Sequence, residues 1–436
     1  MPKDRKHSGN LYCCCVDYKD KNQPCHLCQA IRKGFDYRKP NQHAVDTYKV
    51  VVTGTNGKSS VTNILGRILS EYFGNSKVGY ASSTGIYEGG ERIFDFQHRA
   101  SEHYVYLLNQ PNTEIVISEQ PEAGLYMYGL PINHEMGIIT NITEDHLDRP
   151  WIRTGIMDVY EIKSLVAKMA VEGVVMSIDY PLNRKLLKDF PNKRYFLSTK
   201  NSALAKKYIN RGYPVTYIEK QEIYISDGKK LIKTGKIVDY QLTLFGTLDY
   251  SILNLLTILT FLYHSEKTKD SFKTINEKLK ALNPTFSTNQ ARFNLMHYED
   301  KLIILDYAHN LDGYQKSMKS LRKIKRAFNV KKSVAVVGLL PDKTDTAVEA
   351  IAKSIAISAD KVFVKSFKSQ KNAKQLKDAI IQNGCNDCEV TRESYAELVA
   401  SALDYKLIYI SFAGSILEHY NPADLVEKLN LVDYGI

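Results

Sequence analysis

The residues with the clearest chemical reading are Gly54-Thr55-Asn56-Gly57-Lys58-Ser59, with Ser60 directly after them. They follow the apolar run Tyr48–Thr53 (YKVVVT), which reads as a buried strand. They precede Val61, Ile64, Leu65, Ile68 and Leu69, whose spacing predicts a helix. A strand that feeds a glycine turn at a helix N-terminus aims backbone N–H groups at an anion. Glycine lets the backbone curl close to phosphate oxygens. Lys58 supplies a point charge for the outer phosphates of a nucleotide, and Ser59 can ligate Mg²⁺. The general phosphate-loop pattern asks for one more glycine, at position 52. This chain has Val52 there, so the match is to the shorter form GTNGK[ST].

Cysteine supplies a second cluster. Cys13, Cys14 and Cys15 precede the C-x₂-C pair Cys25 and Cys28. That spacing is compatible with a structural four-thiolate Zn²⁺ site. Cys13, Cys15, Cys25 and Cys28 are taken as the ligand set, and Cys14, His26 and His43 as substitutes. A metal would order a segment too polar to build a core of its own. Cys385 and Cys388 have no second pair nearby and read as two unconnected thiols. Seven cysteines is an odd number, which argues against a disulfide framework.

These residues need elements to position them. Further buried strands are expected at Glu114–Ser118, Gly137–Asn141 and Gly173–Ile178, with a helix over Val159–Ala170 between the last two. Alternation of this kind implies parallel strands joined by helices. Residues 194–248 hold shorter strand-like pieces, with Asp227-Gly228 as a hairpin signal. A long helix follows at Tyr250–Tyr263, then a linker around Pro284 and Ser287–Gln290. A second alternating block has strands at Lys301–Asp306, Ser333–Val337, Lys361–Val364 and Leu407–Phe412. Its helices fall near 311–327, 344–358 and 371–382. The fold class is therefore α/β. Residues 1–47 form a small Cys-rich module. Residues 48–286 form a central nucleotide-binding domain of phosphate-loop type with a mostly parallel sheet. Residues 287–436 form a C-terminal Rossmann-like domain.

Composition bounds the function. The 436 residues carry 59 Lys+Arg and 48 Asp+Glu, a net charge of +11, which suits anionic small partners. The lysines are dispersed, without the dense runs and interleaved aromatics of a nucleic-acid groove, so no nucleic-acid partner is expected. The longest apolar stretch, Ile252–Tyr263, is interrupted by Asn254, Thr257 and Thr260. It falls short of the roughly 20 residues a membrane span needs. The opening MPKDRKHSGN has no apolar region behind it, so no signal peptide and a cytoplasmic location are expected.

Five segments, in order, resemble the Mur ligase family of ATP-dependent amide ligases. GTNGKSS is similar to its nucleotide loop. Asn141-Ile142-Thr143-Glu144-Asp145-His146-Leu147-Asp148 is similar to its N-x-x-x-DHLD segment. Ile162-Lys163-Ser164-Leu165-Val166 resembles the segment with its central lysine. Ala291-Arg292-Phe293-Asn294 resembles its GRF segment, with Ala for Gly. Asp306-Tyr307-Ala308-His309-Asn310, with Asp312-Gly313, resembles its DYAHNPDG, with Leu311 for Pro. The resemblance spans residues 48 to 436.

The resemblance implies roles residue by residue. Gly54, Thr55, Asn56, Gly57, Lys58, Ser59 and Ser60 would hold the phosphates of ATP, and Ser59 one Mg²⁺. Glu119 falls where the family has an acidic Mg²⁺ ligand, and His146 where it has a second metal ligand. Lys163 aligns with a lysine that is often carbamylated. Asn254 matches an adenine-side asparagine. Arg292 and Asp306 match residues that reach ATP from the C-terminal domain, Asp306 at the ribose, and His309 and Asn310 would line the same cleft. Lys58, Glu119, His146 and Lys163 form the catalytic set.

The implied reaction activates a carboxylate as an acyl phosphate, which an amine then converts to an amide. Only 53 residues precede the loop in this sequence, where cell-wall ligases carry a sizeable domain for a UDP-sugar. The expected substrates are ATP, an amino acid and a carboxylate-bearing peptide precursor, with UDP linkage open. The favoured reading is a peptide ligase for a pseudomurein-type cell-wall precursor. The alternatives are an amino-acid polymer ligase of cyanophycin or polyglutamate type, and a non-catalytic ATP-binding partner subunit.

Overall fold

In the computed structural model the run Tyr48–Thr53 forms β1, buried from Lys49 onward because it lies inside a sheet with neighbours on both sides. The structure describes residues 40–94, 100–145, 147, 149–283, 285–340, 343–366, 370–413 and 420–434. Ten more strands join β1: β2 (Val78–Ser82), β3 (Gly85–Glu88), β4 (Glu91–Phe94), β5 (Ile115–Glu119), β6 (His134–Ile139), β7 (Ala170–Ser177), β8 (Tyr195–Thr199), β9 (Val215–Glu219), β10 (Glu222–Ser226) and β11 (Leu231–Lys236). Their order is β11-β10-β9-β8-β7-β6-β1-β5-β2-β3-β4. The middle, from β2 to β9, is parallel, and both edges end in antiparallel hairpins.

The near-continuous apolar character of β1, β5 and β6 follows from burial on both faces. One face packs on the helices Lys58–Phe73 and Asp249–His264, the other on Ala100–Leu108 and Ile156–Met169. The Asp249–His264 helix is buried almost all round, which is why its sequence shows little amphipathic contrast. The hairpin expected at Asp227-Gly228 forms between β10 and β11, where Asp227 Oδ1 accepts from the N–H groups of Lys229 at 2.8 Å and Lys230 at 2.6 Å.

A second sheet contains β12 (Asn294–Tyr298), β13 (Lys301–Asp306), β14 (Ser333–Val337), β15 (Lys361–Lys365), β16 (Cys388–Thr391), β17 (Leu407–Ser411) and β18 (Val432–Asp433). Its order is β16-β15-β14-β17-β13-β12-β18. The run β16 to β13 is parallel, and β12 and β18 are antiparallel to their neighbours. Helices Leu311–Ala327, Asp345–Ala356 and Gln370–Gln382 cover one face. Phe286, which the sequence reading assigns to the central domain, packs into the core on the other face. Cys385 and Cys388 are buried free thiols in this lobe, and burial pushes the Cys388 thiol up to about 12. Among the described residues no helix is long and apolar enough to cross a membrane. The Cys-rich segment with Cys13, Cys14, Cys15, Cys25 and Cys28 lies outside the described residues.

Candidate active site

The parallel neighbours of β1 bring three strand ends together. Val52 pairs with Glu119 at the end of β5, and Thr53 with Ile139 at the end of β6. A crevice at the carboxyl ends of such strands is the usual ligand edge of an α/β sheet. The phosphate loop fills it. Gly54 (φ 144°) and Gly57 (φ 85°) hold backbone conformations that a side chain would strain. A Cβ on Gly54 would meet Thr140 Oγ1 at 2.0 Å, and one on Gly57 would meet Asn254 Oδ1 at 2.5 Å. Asn254 therefore packs directly against the loop and does not line the cavity beyond it.

The segment after β6 braces the loop. Thr55 N–H donates to the Asn141 carbonyl at 2.7 Å, and Asn56 N–H donates to Asn141 Oδ1 at 2.9 Å. Thr55 Oγ1 donates to the Thr143 carbonyl and accepts from the Thr143 N–H, both at 3.0 Å. The same oxygen accepts from Lys163 Nζ at 3.0 Å. Lys58 Nζ donates back to the Thr55 carbonyl at 2.8 Å.

Lys163 projects from the Ile156–Met169 helix, and the periodicity that places it also buries it. Burial first, then the neighbouring Lys58 charge, pushes its amine down to about 7. Lys58 is also lowered, by burial and by Arg292, against the opposing pull of Glu119 and Asp145. Glu119 is buried at the end of β5, where its Oε2 accepts from Ser83 N–H at 2.9 Å. Ser59 Oγ lies 2.7 Å from Ser83 Oγ, so Ser59 and Glu119 converge on one residue.

The second lobe closes over this floor. Arg292 Nη2 donates to Ser83 Oγ at 3.0 Å and Ser59 Oγ at 3.2 Å, and its guanidinium lies 5.1 Å from the Tyr307 ring centroid. Ala291 (φ 51°) and Phe293 (φ 61°) flank it in left-handed conformations. The position where the resembling segment carries Gly is therefore one that favours Gly. Asp306 closes β13 and is buried. Its Oδ2 accepts from Ser317 at 2.5 Å and Tyr409 at 2.8 Å, and burial raises its pKa. Asn310 caps the Leu311–Ala327 helix through Gly313 N–H at 2.9 Å.

The two lobes enclose a cavity of about 380 Å³. Gly54 to Ser60, Glu119, Lys163, Arg292, Asp306 and His309 all line it. Asn310 is buried behind the wall, bonded to Asn56 and Asp145. His146 lies outside the described residues. Among the described residues no three His, Cys, Asp or Glu side chains gather as a metal site.

Several wall residues escape sequence reasoning. Asp145 accepts from His309 Nε2 at 3.2 Å, Asn310 Nδ2 at 3.1 Å and Lys343 Nζ at 3.1 Å, all from the other lobe. Asp312 accepts from Asn56 Nδ2 at 2.9 Å and Lys316 Nζ at 2.7 Å. Ser83, Glu122, Arg149 and Trp151 also line the cavity. Asp145 and Asp312 stand inside recognisable segments, and that position was the available signal.

The donor set fits a nucleoside triphosphate with Mg²⁺. Lys58 and Arg292 bring positive charge to one cavity at a helix N-terminus. Arg292 Nε is buried with no hydrogen-bond partner among the described residues, a donor that an anion would satisfy. Ser59 and Glu119 offer adjacent hard oxygen ligands.

Residues 52–261 match the Mur ligase middle domain, and residues 291–408 match the Mur ligase glutamate ligase domain. The cyanophycin synthetase of Geminocystis herdmanii is 26% identical over 281 residues, 63% of this chain and 31% of that protein. The UDP-N-acetylmuramoyl-L-alanyl-D-glutamate--2,6-diaminopimelate ligase of Caldanaerobacter subterraneus subsp. tengcongensis is 26% identical over 280 residues, 62% of this chain and 52% of that protein. The chain thus spans about a third of the first relative and about half of the second. A pseudomurein peptide ligase type C from Methanothermus fervidus shares the fold at a TM-score of 0.55 and 16% identity, covering 88% of this chain and 79% of that one. With both domain families matched in order on either side of the cavity, the chain belongs to the Mur ligase family.

Proposed function

We propose that this chain is an ATP-dependent amide ligase that works through an acyl phosphate. The observation that carries the reading is the meeting of the phosphate loop, Glu119 and Lys163 with Arg292 and Asp306 across one cavity. Phosphoryl transfer asks for positioning and charge neutralisation more than for covalent help, and this wall supplies both.

A substrate carboxylate attacks the γ-phosphorus of ATP, the bond to the bridging oxygen breaks, and ADP leaves. An amine then attacks the acyl carbon, inorganic phosphate departs, and the amine loses a proton. Lys58 and the loop N–H groups hold the outer phosphates, and Arg292 stabilises the charge that develops between them. Asp306 stands at the ribose side, held by Ser317 and Tyr409. Ser59 and Glu119 would hold Mg²⁺, with His146 as a further ligand, and the ion supplies charge neutralisation. Lys163 is neutral for much of the time near pH 7, the state in which an amine can take up CO₂ and become a carbamate. The central domain runs from residue 48 and the C-terminal domain begins at Phe286, one residue earlier than the sequence suggests, and a structural Zn²⁺ would be held by Cys13, Cys15, Cys25 and Cys28.

The acceptor we favour is a peptide precursor of a cell wall, of pseudomurein type, extended by one amino acid. The similarity to the diaminopimelate ligase supports peptide ligation. The similarity to cyanophycin synthetase supports a second reading, extension of an amino-acid polymer. Phosphate release from ATP across a panel of amino acids, peptides and polymer primers separates them. No release above background with any amine–acid pair would refute the ligase reading and favour a non-catalytic ATP-binding subunit.

A further inference from the structure

The net charge of +11 is unevenly placed. Residues 181–236 hold 14 Lys+Arg against 4 Asp+Glu, almost the whole excess of the chain. They form the helices Pro181–Asp189 and Ser202–Ile209 and the strands β8 to β11. Topology gathers part of this charge at one edge of the sheet. β7, β8 and β9 run parallel to β1, so their first residues lie at the edge opposite the carboxyl ends that hold the phosphate loop. Ser226 pairs with Val215 at the start of β9, which brings the 227–230 turn to the same edge. A Cβ on Gly228 would meet the Gly212 carbonyl oxygen at 3.2 Å, so that turn abuts the loop before β9. Lys188 lies in the last turn of the helix that descends to this edge, Lys193 and Arg194 lead into β8, Arg211 precedes β9, and Lys229 and Lys230 stand in the turn. The acids here are already engaged. Asp189 accepts from Lys185 and, at 2.7 Å, from Tyr160. Asp227 accepts from the turn N–H groups, and Glu172 accepts from Tyr48 at 2.5 Å and from Glu266 N–H at 2.6 Å. Lys188, Arg211, Lys229 and Lys230 are exposed. Val171 at the start of β7 and Leu231 at the start of β11 are 63% and 55% exposed, at the two ends of the row.

From this arrangement we infer that the edge is a docking surface for an anionic lipid bilayer. A row of cations is drawn to the negative potential of such a surface, each adding to the attraction. Five strands at about 4.8 Å spacing set Val171 and Leu231 roughly 19 Å apart, so two aliphatic side chains flank the cations and enter the headgroup layer together. A nucleic acid would ask instead for open ring faces on which bases stack. The rings here already carry cations: Lys168 lies 5.4 Å from the Phe190 centroid, Arg194 4.8 Å from that of Phe196 and Arg211 5.5 Å from that of Tyr208. Attachment of this kind needs no helix that crosses the membrane. The phosphate loop is at the other edge of the sheet, so a docked chain keeps its cavity turned away from the lipid.

The full chain is co-sedimented with sucrose-loaded vesicles, of phosphatidylcholine alone or mixed about two to one with phosphatidylglycerol. It is expected to bind the mixed vesicles and not the neutral ones, and to bind less as salt is raised. Arg211→Gln, Lys229→Gln and Lys230→Gln combined should weaken binding about a hundredfold, at roughly fivefold per cation. A second triple variant, Lys353→Gln, Lys374→Gln and Lys428→Gln, removes the same charge from the other lobe and should bind as the parent does. All six positions are exposed, so the fold is not at stake. Failure to sediment with the mixed vesicles, equal binding to neutral ones, or equal losses in the two triple variants would overturn the inference. So would tighter binding, per phosphate, to a DNA duplex than to the mixed vesicles, lost in the first triple variant, which would give the edge to nucleic acid. The vesicle readout needs no turnover, so it stands apart from the ligase reading.

Discussion

Asn56 and Asn310 form a reciprocal amide pair across the two lobes. Asn310 Nδ2 donates to Asn56 Oδ1 at 3.0 Å, and Asn56 Nδ2 donates to Asn310 Oδ1 at 3.2 Å. Asn56 lies in the phosphate loop, and Asn310 caps the helix that follows Asp306. Closure of the lobes is therefore read at the residue that shapes the phosphate cradle. Asn310→Asp keeps a good helix cap but removes the donor to Asn56 and sets a carboxylate against Asp145. A loss of about 10- to 100-fold in kcat/KM is expected for one or two such bonds, with thermal stability far less affected. Steady-state kinetics beside a melting curve checks it, and unchanged kinetics would remove the pair from the machinery.

Lys58 tests the loop itself. Burial and Arg292 already lower its pKa, so its charge is carried at a cost in the absence of an anion. Lys58→Met should abolish turnover, by at least about a hundredfold, because charge at the transferring phosphoryl group is lost. The folded state should be as stable as the parent or more so. A variant that turned over normally would contradict the loop assignment, and a collapsed melting temperature would make Lys58 a structural residue.

The phosphate loop was legible because its six residues are contiguous and sit between a strand and a helix that declare themselves by periodicity. The parallel cores of both sheets were legible for the same reason. What joins the lobes was not. Asp145 meets His309 and Lys343 only after two sheets have folded, and local pattern carries no trace of pairing over 164 and 198 positions. Asp145 lies in a recognisable segment, but the segment implies a role for its neighbour His146 and none for Asp145. The turn at Lys220 (φ 48°) and Gln221 (φ 69°) joins β9 to β10 without the glycine or asparagine that would have announced it. The family resemblance puts Asn254 on the adenine side, and only the folded helix shows how closely it packs on Gly57.

Lys163 predicts a pH dependence. Its amine is pushed down to about 7 from 10.5, chiefly by burial. Below about 7 it carries a charge beside Lys58 and cannot take up CO₂; above that it is neutral. The stability cost of the buried charge is present in full below about 7 and is relieved as pH rises towards 10.5. Activity should therefore fall on the acid side with a limb near 7. It should also fall in CO₂-depleted buffer and return with added bicarbonate. A rate indifferent to bicarbonate across pH 6 to 8 would remove carbamylation from the account.

Asp249 predicts a second pH dependence, of the same sense but in the acid range. It starts the helix that carries Asn254. Its carboxylate accepts from Lys319 at 2.6 Å and Lys323 at 2.8 Å of the other lobe, and from Lys200 at 3.4 Å of its own. Burial alone would raise its pKa, but the bonds from Lys319 and Lys323 outweigh burial and hold it well below 3.8. The stabilisation is thus fully present above about 4 and is lost as pH falls through the lowered folded value. Asp249→Asn leaves three ammonium groups converging on a neutral amide. Because the lysines are partly exposed and can turn to water, the cost should be modest, about 1–2 kcal/mol at pH 7. Urea midpoints of the two proteins should differ at pH 7 and draw together as the buffer is taken below 3.8. A difference that held constant into acid would mean that Asp249 acts through packing and not through its charge.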